Sequence, residues 1–137
     1  MRTIKFRGKT ENGEWFYGNF LFLNCNPQIV SFAGLFRWNV NKETIGQFTG
    51  LNDKNGIEIY EGDIFRYNQH KGYLLNDFTA IVQYDESRAC LGYVEIESTT
   101  KFITPFCRHD ELEKDIFLHI DVIGNIHDNP ELLNIKK

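Results

Sequence analysis

Four side chains near the C-terminus are of the types that hold a divalent metal. His119 and Asp121 are two residues apart, so a single strand presents both on one face. His127 and Asp128 follow, and the four together offer nitrogen and oxygen donors. A plainer reading competes: His127 and Asp128 fall where a strand exits, and a turn there wants such residues anyway. No metal and no cofactor is expected. Cys107 and His109 raise a second chemistry, a thiol nucleophile beside its base. An i,i+2 pair next to Pro105 has no defined mutual geometry, and a catalytic Cys and His meet in space rather than in sequence. Cys107 therefore reads as a packing residue. The chain shows no Ser-centred elbow, no H-E-x-x-H and no paired-carboxylate pattern, so no catalytic constellation is recognised and an enzyme is not expected.

Binding is the better class. Twelve Phe, six Tyr and two Trp make aromatic residues 15% of the 137, and most of them must be core. For those left outside, two uses compete. One is a surface for self-association or for a protein partner, where aromatic residues are enriched. The other is a single-stranded nucleic-acid platform on a small β-barrel, with Lys5, Arg7, Lys9, Arg37 and Lys42 clamping the backbone. Fifteen basic against nineteen acidic residues leave a net charge of −4, which disfavours bulk attraction to nucleic acid or to an anionic membrane. The protein partner is favoured and a homo-oligomer is expected. Residues 1–45 carry six basic and three acidic side chains, and residues 85–131 carry four and eleven. Such opposed ends would support head-to-tail self-association.

Cys25, Cys90 and Cys107 are odd in number and widely spaced, unlike a secreted disulfide framework. The N-terminus mixes basic and apolar residues without the continuous apolar stretch of a signal peptide. The best apolar run, Ile29 to Phe36, contains Ser31 and Gly34 and falls far short of the roughly 20 residues that span a bilayer. These features predict a cytoplasmic protein with no membrane association.

The elements that would position these residues are short strands. A single domain over 1–137 is expected. Asn12-Gly13 between alternating runs predicts a hairpin of residues 3–10 and 14–23. Residues 24–28 read as a loop, and Ile29 to Trp38 as a strand or lining segment. A central hairpin spans 43–67, turning at Asp53, Asn55 and Gly56 and breaking again at Gly62 and Asp63. Phe78–Tyr84 and Leu91–Glu97 make the next hairpin, with Val94 and Ile96 inward. Residues 109–114 form a helical turn. A strand from Phe117 to Ile126 leads to a short helix with Asn129 as N-cap and Pro130 at its first position, closing the C-terminal region over 117–133. Seven or eight short strands predict a mainly β domain with short helices, folded as a small antiparallel, partly open barrel.

The run from Glu43 to Ile64, Glu-Thr-Ile-Gly-Gln-Phe-Thr-Gly-Leu-Asn-Asp-Lys-Asn-Gly-Ile-Glu-Ile-Tyr-Glu-Gly-Asp-Ile, resembles the central signature of the YopX family. The opening Ile4-Lys5-Phe6-Arg7 and the closing Val122 to Leu133 are similar to that family's two ends. The resemblance implies a phage or prophage source, a bacterial host cytoplasm, a mostly β structure and hence an unidentified phage or host protein as the partner, and it brings no established activity and no catalytic residues. In the signature, Gly46, Gly50, Gly56 and Gly62 sit where strands end or bend, and Asp53, Asn55 and Asp63 bond local backbone. The block reads as corner-turning structure. A phosphate cradle would need a G-x-G-x-x-G or P-loop spacing and a following helix, and neither is there.

Overall fold

The computed structural model describes residues 3–68, 77–97, 102–106 and 119–134. The 109–114 turn, Cys107 and His109 lie outside the described residues, as does all but the ends of the 68–77 loop. The strands in chain order are β1 (Phe6–Lys9), β2 (Trp15–Leu23), β3 (Asn26–Val30), β4 (Arg37–Asn39), β5 (Gly46–Asn52), β6 (Glu58–Tyr60), β7 (Asp63–Tyr67), β8 (Phe78–Asp85), β9 (Cys90–Glu95), β10 (Thr104–Pro105) and β11 (Ile120–Asn125). One sheet runs β4-β3-β2-β1-β5-β6 and the other β10-β9-β8-β7-β11. The mainly antiparallel β expectation holds, but the sheets are two open ones and do not close into a barrel. Closure needs matched tilt and register at both edges. Here Pro105 lacks the N–H that would extend pairing beyond β10, and a register shift between Val122 and Gly124 kinks β11 at the other edge. Cα packing divides the chain within β5, into Met1–Gly50 and Leu51–Lys137.

In the first unit, Asn12-Gly13 turns the β1–β2 hairpin, and the Gly13 N–H donates to the Thr10 carbonyl at 3.0 Å. The expected 24–28 loop is shorter than the sequence suggests. Only Asn24 (φ 50°) and Cys25 (φ 64°) leave the ladder, and both adopt the left-handed backbone of a type I′ hairpin turn. Pro27 then sits inside β3, opposite Phe22. The 29–38 segment is two strands joined by a turn, in which the Ser31 N–H donates to the Phe36 carbonyl and the Gly34 N–H to the Ser31 carbonyl. The sheet curls until the exit of β4 meets the end of β1. The Asn41 N–H donates to the Lys9 carbonyl at 2.8 Å, and the Lys9 N–H donates to Thr44 Oγ1 at 2.9 Å. Gly8 lies directly under Val40, where a Cβ would approach Val40 Cγ2 to 2.8 Å. Ile29, Val40 and Phe48 are the buried apolar side chains of this unit.

The second unit packs around Phe65. Its ring meets Phe78, Tyr93 and Phe106 at centroid distances of 6.1, 5.4 and 6.4 Å, and Ile59, Tyr67, Ala80, Val82 and Ile120 complete the cluster. Edge-to-face geometry such as the 78° Phe65–Tyr93 pair adds about 0.5–1.5 kcal/mol beyond area burial. Alternation along β9 misled in one respect. Val94 is buried, but so is Tyr93, whose ring stacks on Phe78 at 5.5 Å and meets Phe65 and Phe106, while Glu95 on the same face is exposed. The 130–134 helix is a 3-10 turn rather than an α-helix.

Asp85 closes the β8–β9 turn. Its Oδ1 accepts from the Ser87 N–H at 3.0 Å and from the Ser87 hydroxyl at 2.7 Å, and Oδ2 accepts from Arg88 Nε. The Ser87 hydroxyl first, and Arg88 second, hold its carboxyl below the ordinary value of 3.8. A lowered folded-state value means that the stabilisation is complete above the ordinary carboxylate range and is lost as pH falls through the folded value. Asp85→Asn is expected to flatten the fall of the urea midpoint below pH 4. Parallel wild-type and variant curves down to pH 2.5 would contradict this.

Candidate functional site

The β2-β3-β4 register places Phe20, Ile29 and Trp38 in one row across the sheet, with Phe16, Gly18 and Phe22 on the same face of β2. Phe16 and Trp38 stack at 4.1 Å with an interplanar angle of 11°, and Ile29 is fully buried beside them. Toward the β2–β3 turn, Phe6 meets Phe20 edge-on at 5.8 Å and Phe20 meets Phe22 at 6.5 Å, while at the β3–β4 turn Phe36 lies 6.2 Å from Trp38. Phe22 remains 54% exposed and Phe36 63%. At the tip of the β3–β4 turn, Phe32 and Leu35 are 60% and 77% exposed, and Leu21 and Leu23 are open on the reverse of β2. Scattered surface apolar residues need no explanation, and two exposed apolar groups, one at each turn of the β2-β3-β4 meander, stand out from that background.

Sequence reasoning spread the aromatic residues among core positions and left open which lay outside. A signal for the right ones was available. Residues 15–36, a run of twenty-two, contain no charged residue and no histidine in a chain that is 25% charged. A buried strand explains four to eight such residues, but not two successive hairpin arms and the turn after them, most of whose side chains are exposed.

Three of the five proposed clamp cations lie over rings of their own unit. Lys5 Nζ lies 5.1 Å from the Phe48 ring centre, and the Arg7 guanidinium and Lys9 Nζ lie 4.7 and 5.9 Å from that of Trp15. Arg7 is buried. The register through Tyr17, Asn19 and Val30 places Arg37 on the same sheet face as Arg7, exposed on β4, while Lys42 sits in a separate 3-10 turn.

The C-terminal donors are dispersed among structural roles. Asp121 Oδ1 accepts from Asn55 Nδ2 at 2.9 Å, and its Oδ2 lies 4.0 Å from Lys54 Nζ. His119 meets the Tyr67 ring edge-on. The His127 and Asp128 N–H groups both donate to Asn125 Oδ1 at 2.9 Å. No group of three His, Cys, Asp or Glu residues suited to a metal gathers among the described residues.

Asp53 is the hub of the central signature. It is buried, and its Oδ1 accepts from the Asn55 and Ile57 N–H groups at 2.8 and 2.9 Å. Its Oδ2 accepts from the Val122 N–H at 3.0 Å, which ties the turn to β11. Asp63 Oδ2 accepts from the Tyr60 N–H at 2.8 Å. Gly46 pairs with Arg7 in β5, whereas Gly50, Gly56 and Gly62 have φ of 86°, 81° and 88°. The Asn129 side chain turns back, its Oδ1 accepting from the Asn125 N–H at 3.3 Å, as Pro130 opens the 3-10 turn.

Two open antiparallel sheets, aromatic side chains left facing solvent and a turn organised by one buried aspartate define a mainly β protein. Comparison with protein families matches residues 5–134 to the family described as YopX protein, and the chain belongs to the YopX family. It is also similar to a solved structure, the crystal structure of protein EF1440 from Enterococcus faecalis. The two share 28% sequence identity and superpose with a TM-score of 0.53, covering 97% of this chain and 99% of that one. Comparison with curated proteins gave no match. Among the described residues no helix is long and apolar enough to cross a membrane.

Proposed function

We propose that this YopX-family chain is a phage or prophage accessory protein that works in the host cytoplasm by binding protein, and that its first partner is a second copy of itself. The exposed apolar side chains at the two turns of the β2-β3-β4 sheet, Phe22 at one and Phe32, Leu35 and Phe36 at the other, carry the reading. Its lack of charge favours self-association. A chain of net charge −4 repels its copies, but a surface built from residues 15–36 meets itself with no like-charge penalty. The same observation disfavours the alternative, a single-stranded nucleic-acid binder, since phosphate requires cations beside the exposed rings.

Burying an exposed aromatic or leucine side chain is worth about 1.5–3 kcal/mol. The variant carrying Phe22→Ser and Leu35→Ser is therefore expected to weaken self-association by roughly two orders of magnitude with little loss of stability. Sedimentation velocity over a wide concentration range measures it. A wild-type chain that stays monomeric throughout would defeat the reading, as would salt-sensitive binding of labelled oligonucleotides in an anisotropy titration.

A further inference from the structure

We propose that the first unit takes an extended peptide of a partner protein as an added antiparallel strand along β4, with an acidic side chain of the peptide beside Arg37. β4 ends its sheet, and its bonding to β3 fixes which backbone groups are left over. The Ser31 N–H donates to the Phe36 carbonyl, and the Val40 N–H donates to the Pro27 carbonyl. Bonded and non-bonded pairs alternate in an antiparallel ladder. Ile29 and Trp38, midway between those two, are therefore a bonded pair, while Val30–Arg37 and Gln28–Asn39 are not. The N–H and C=O groups of Arg37 and Asn39 thus point away from β3, with the spacing that another strand would match.

These groups open onto a cleft of about 560 Å³, lined by the β1–β2 turn at Thr10–Asn12, by Asn26 and Pro27, and by the consecutive residues Arg37 to Asn41. Successive strand residues face opposite sides of a sheet, so a cleft that meets Arg37, Trp38 and Asn39 in turn lies against the edge of β4 and on neither face. An added strand has the same alternation and bonds through its backbone. The other three sheet ends are already used. At β11, the Val122 N–H donates to Asp53 Oδ2 and the Ile120 carbonyl accepts from the Lys54 N–H. At β6, Ile59 and Tyr60 are buried and the Tyr60 N–H donates to Asp63 Oδ2. β10 has two residues, one of them Pro105.

Arg37 selects the peptide. It is exposed and makes no ion pair or side-chain hydrogen bond to another described residue. A charge on an edge strand disfavours pairing with a second copy of that strand. The residue opposite Arg37 on an added antiparallel strand lies on the same sheet face with its Cβ about 4.5–5.5 Å away, where an opposite charge is favourable and a like charge is not. Glu11, the acidic residue of the described lining, belongs to the β1–β2 turn and not to β4. The site uses none of the exposed apolar turn residues, and it stands whether or not the chain self-associates.

The test is a titration of the ¹⁵N-labelled full chain with the acetylated, amidated peptide Ser-Thr-Val-Glu-Ser, followed by ¹H–¹⁵N correlation spectra. Saturable downfield shifts are expected at the Arg37 and Asn39 amide protons, and little change at the Trp38 amide, which is already bonded to β3, with a Kd of about 1 mM. The Ser-Thr-Val-Lys-Ser peptide should bind at least about fivefold more weakly, and Arg37→Glu should reverse that order, the spectrum itself confirming the fold. Methylating the backbone nitrogen of the peptide's Glu keeps its charge and should abolish binding. The Phe22→Ser, Leu35→Ser variant should bind the Glu peptide as the wild type does. The proposal is overturned if Arg37 and Asn39 show no saturable shift, if the Glu and Lys peptides bind equally, if Arg37→Glu leaves their order unchanged, or if the methylated peptide binds as well.

Discussion

Asp53→Ala is expected to destabilise the second unit by about 3–5 kcal/mol, which would place it among the most damaging single substitutions in the chain. Three backbone N–H groups lose their acceptor at once, those of Asn55 and Ile57 within the turn and that of Val122 on β11. A hydrogen bond to a charged acceptor contributes about 1.5–3 kcal/mol, and water recovers part of the loss at the exposed turn. The Val122 bond is the one water replaces least well, because it spans 69 residues of sequence and holds β11 in place. Asp53→Asn keeps one carbonyl oxygen and is expected to cost about 1–2 kcal/mol. Chemical denaturation orders the two variants, and hydrogen exchange at Val122 reports the local bond. An alanine variant within about 1 kcal/mol of wild type would show that the hub does not anchor this unit.

The second large effect is expected at Gly92. A Cβ there would overlap the Thr104 carbonyl oxygen and lie 2.9 Å from the Thr104 carbonyl carbon and 2.8 Å from Ile103 Cγ2. Backbone cannot step aside as a long side chain does, so Gly92→Ala must push β10 off β9, against which Pro105 pairs with Gly92 itself. A loss of about 2–4 kcal/mol is expected, with disturbed packing of Phe106 in the core cluster. Gly56→Ala is the informative comparison. Gly56 has φ of 81° but open space around it, so its cost is conformational alone, about 1 kcal/mol. Urea midpoints that place Gly56→Ala at or below Gly92→Ala in stability would reverse this order and refute the clash.

These two positions show where local reasoning reaches and where it stops. The Asp53 turn was legible because its chemistry is local. An Asx side chain bonding N–H groups two and four residues on is written in the spacing Asp-Lys-Asn-Gly-Ile. Its third bond, to Val122, was not, since nothing near residue 53 says which distant strand arrives there. Gly92 gave no signal at all. Its role is the close approach of β10, a fact about two strands and not about one. The burial of Tyr93 is likewise a tertiary matter, since it comes from the rings of Phe65, Phe78 and Phe106, while Glu95 on the same face of β9 is exposed.

By itself the sequence determined the strand-rich character, the Asn12-Gly13 and Asp53–Gly56 turns and membership in a family, all of which rest on interactions within a few residues of chain. Tertiary structure alone decided that the sheets stay open, that Lys5, Arg7 and Lys9 lie over rings of their own unit, and which aromatic side chains remain in water. Exposure belongs to the finished packing. A phenylalanine is equally apolar at Phe65 and at Phe36, and only the strands laid beside it determine whether it becomes core or surface.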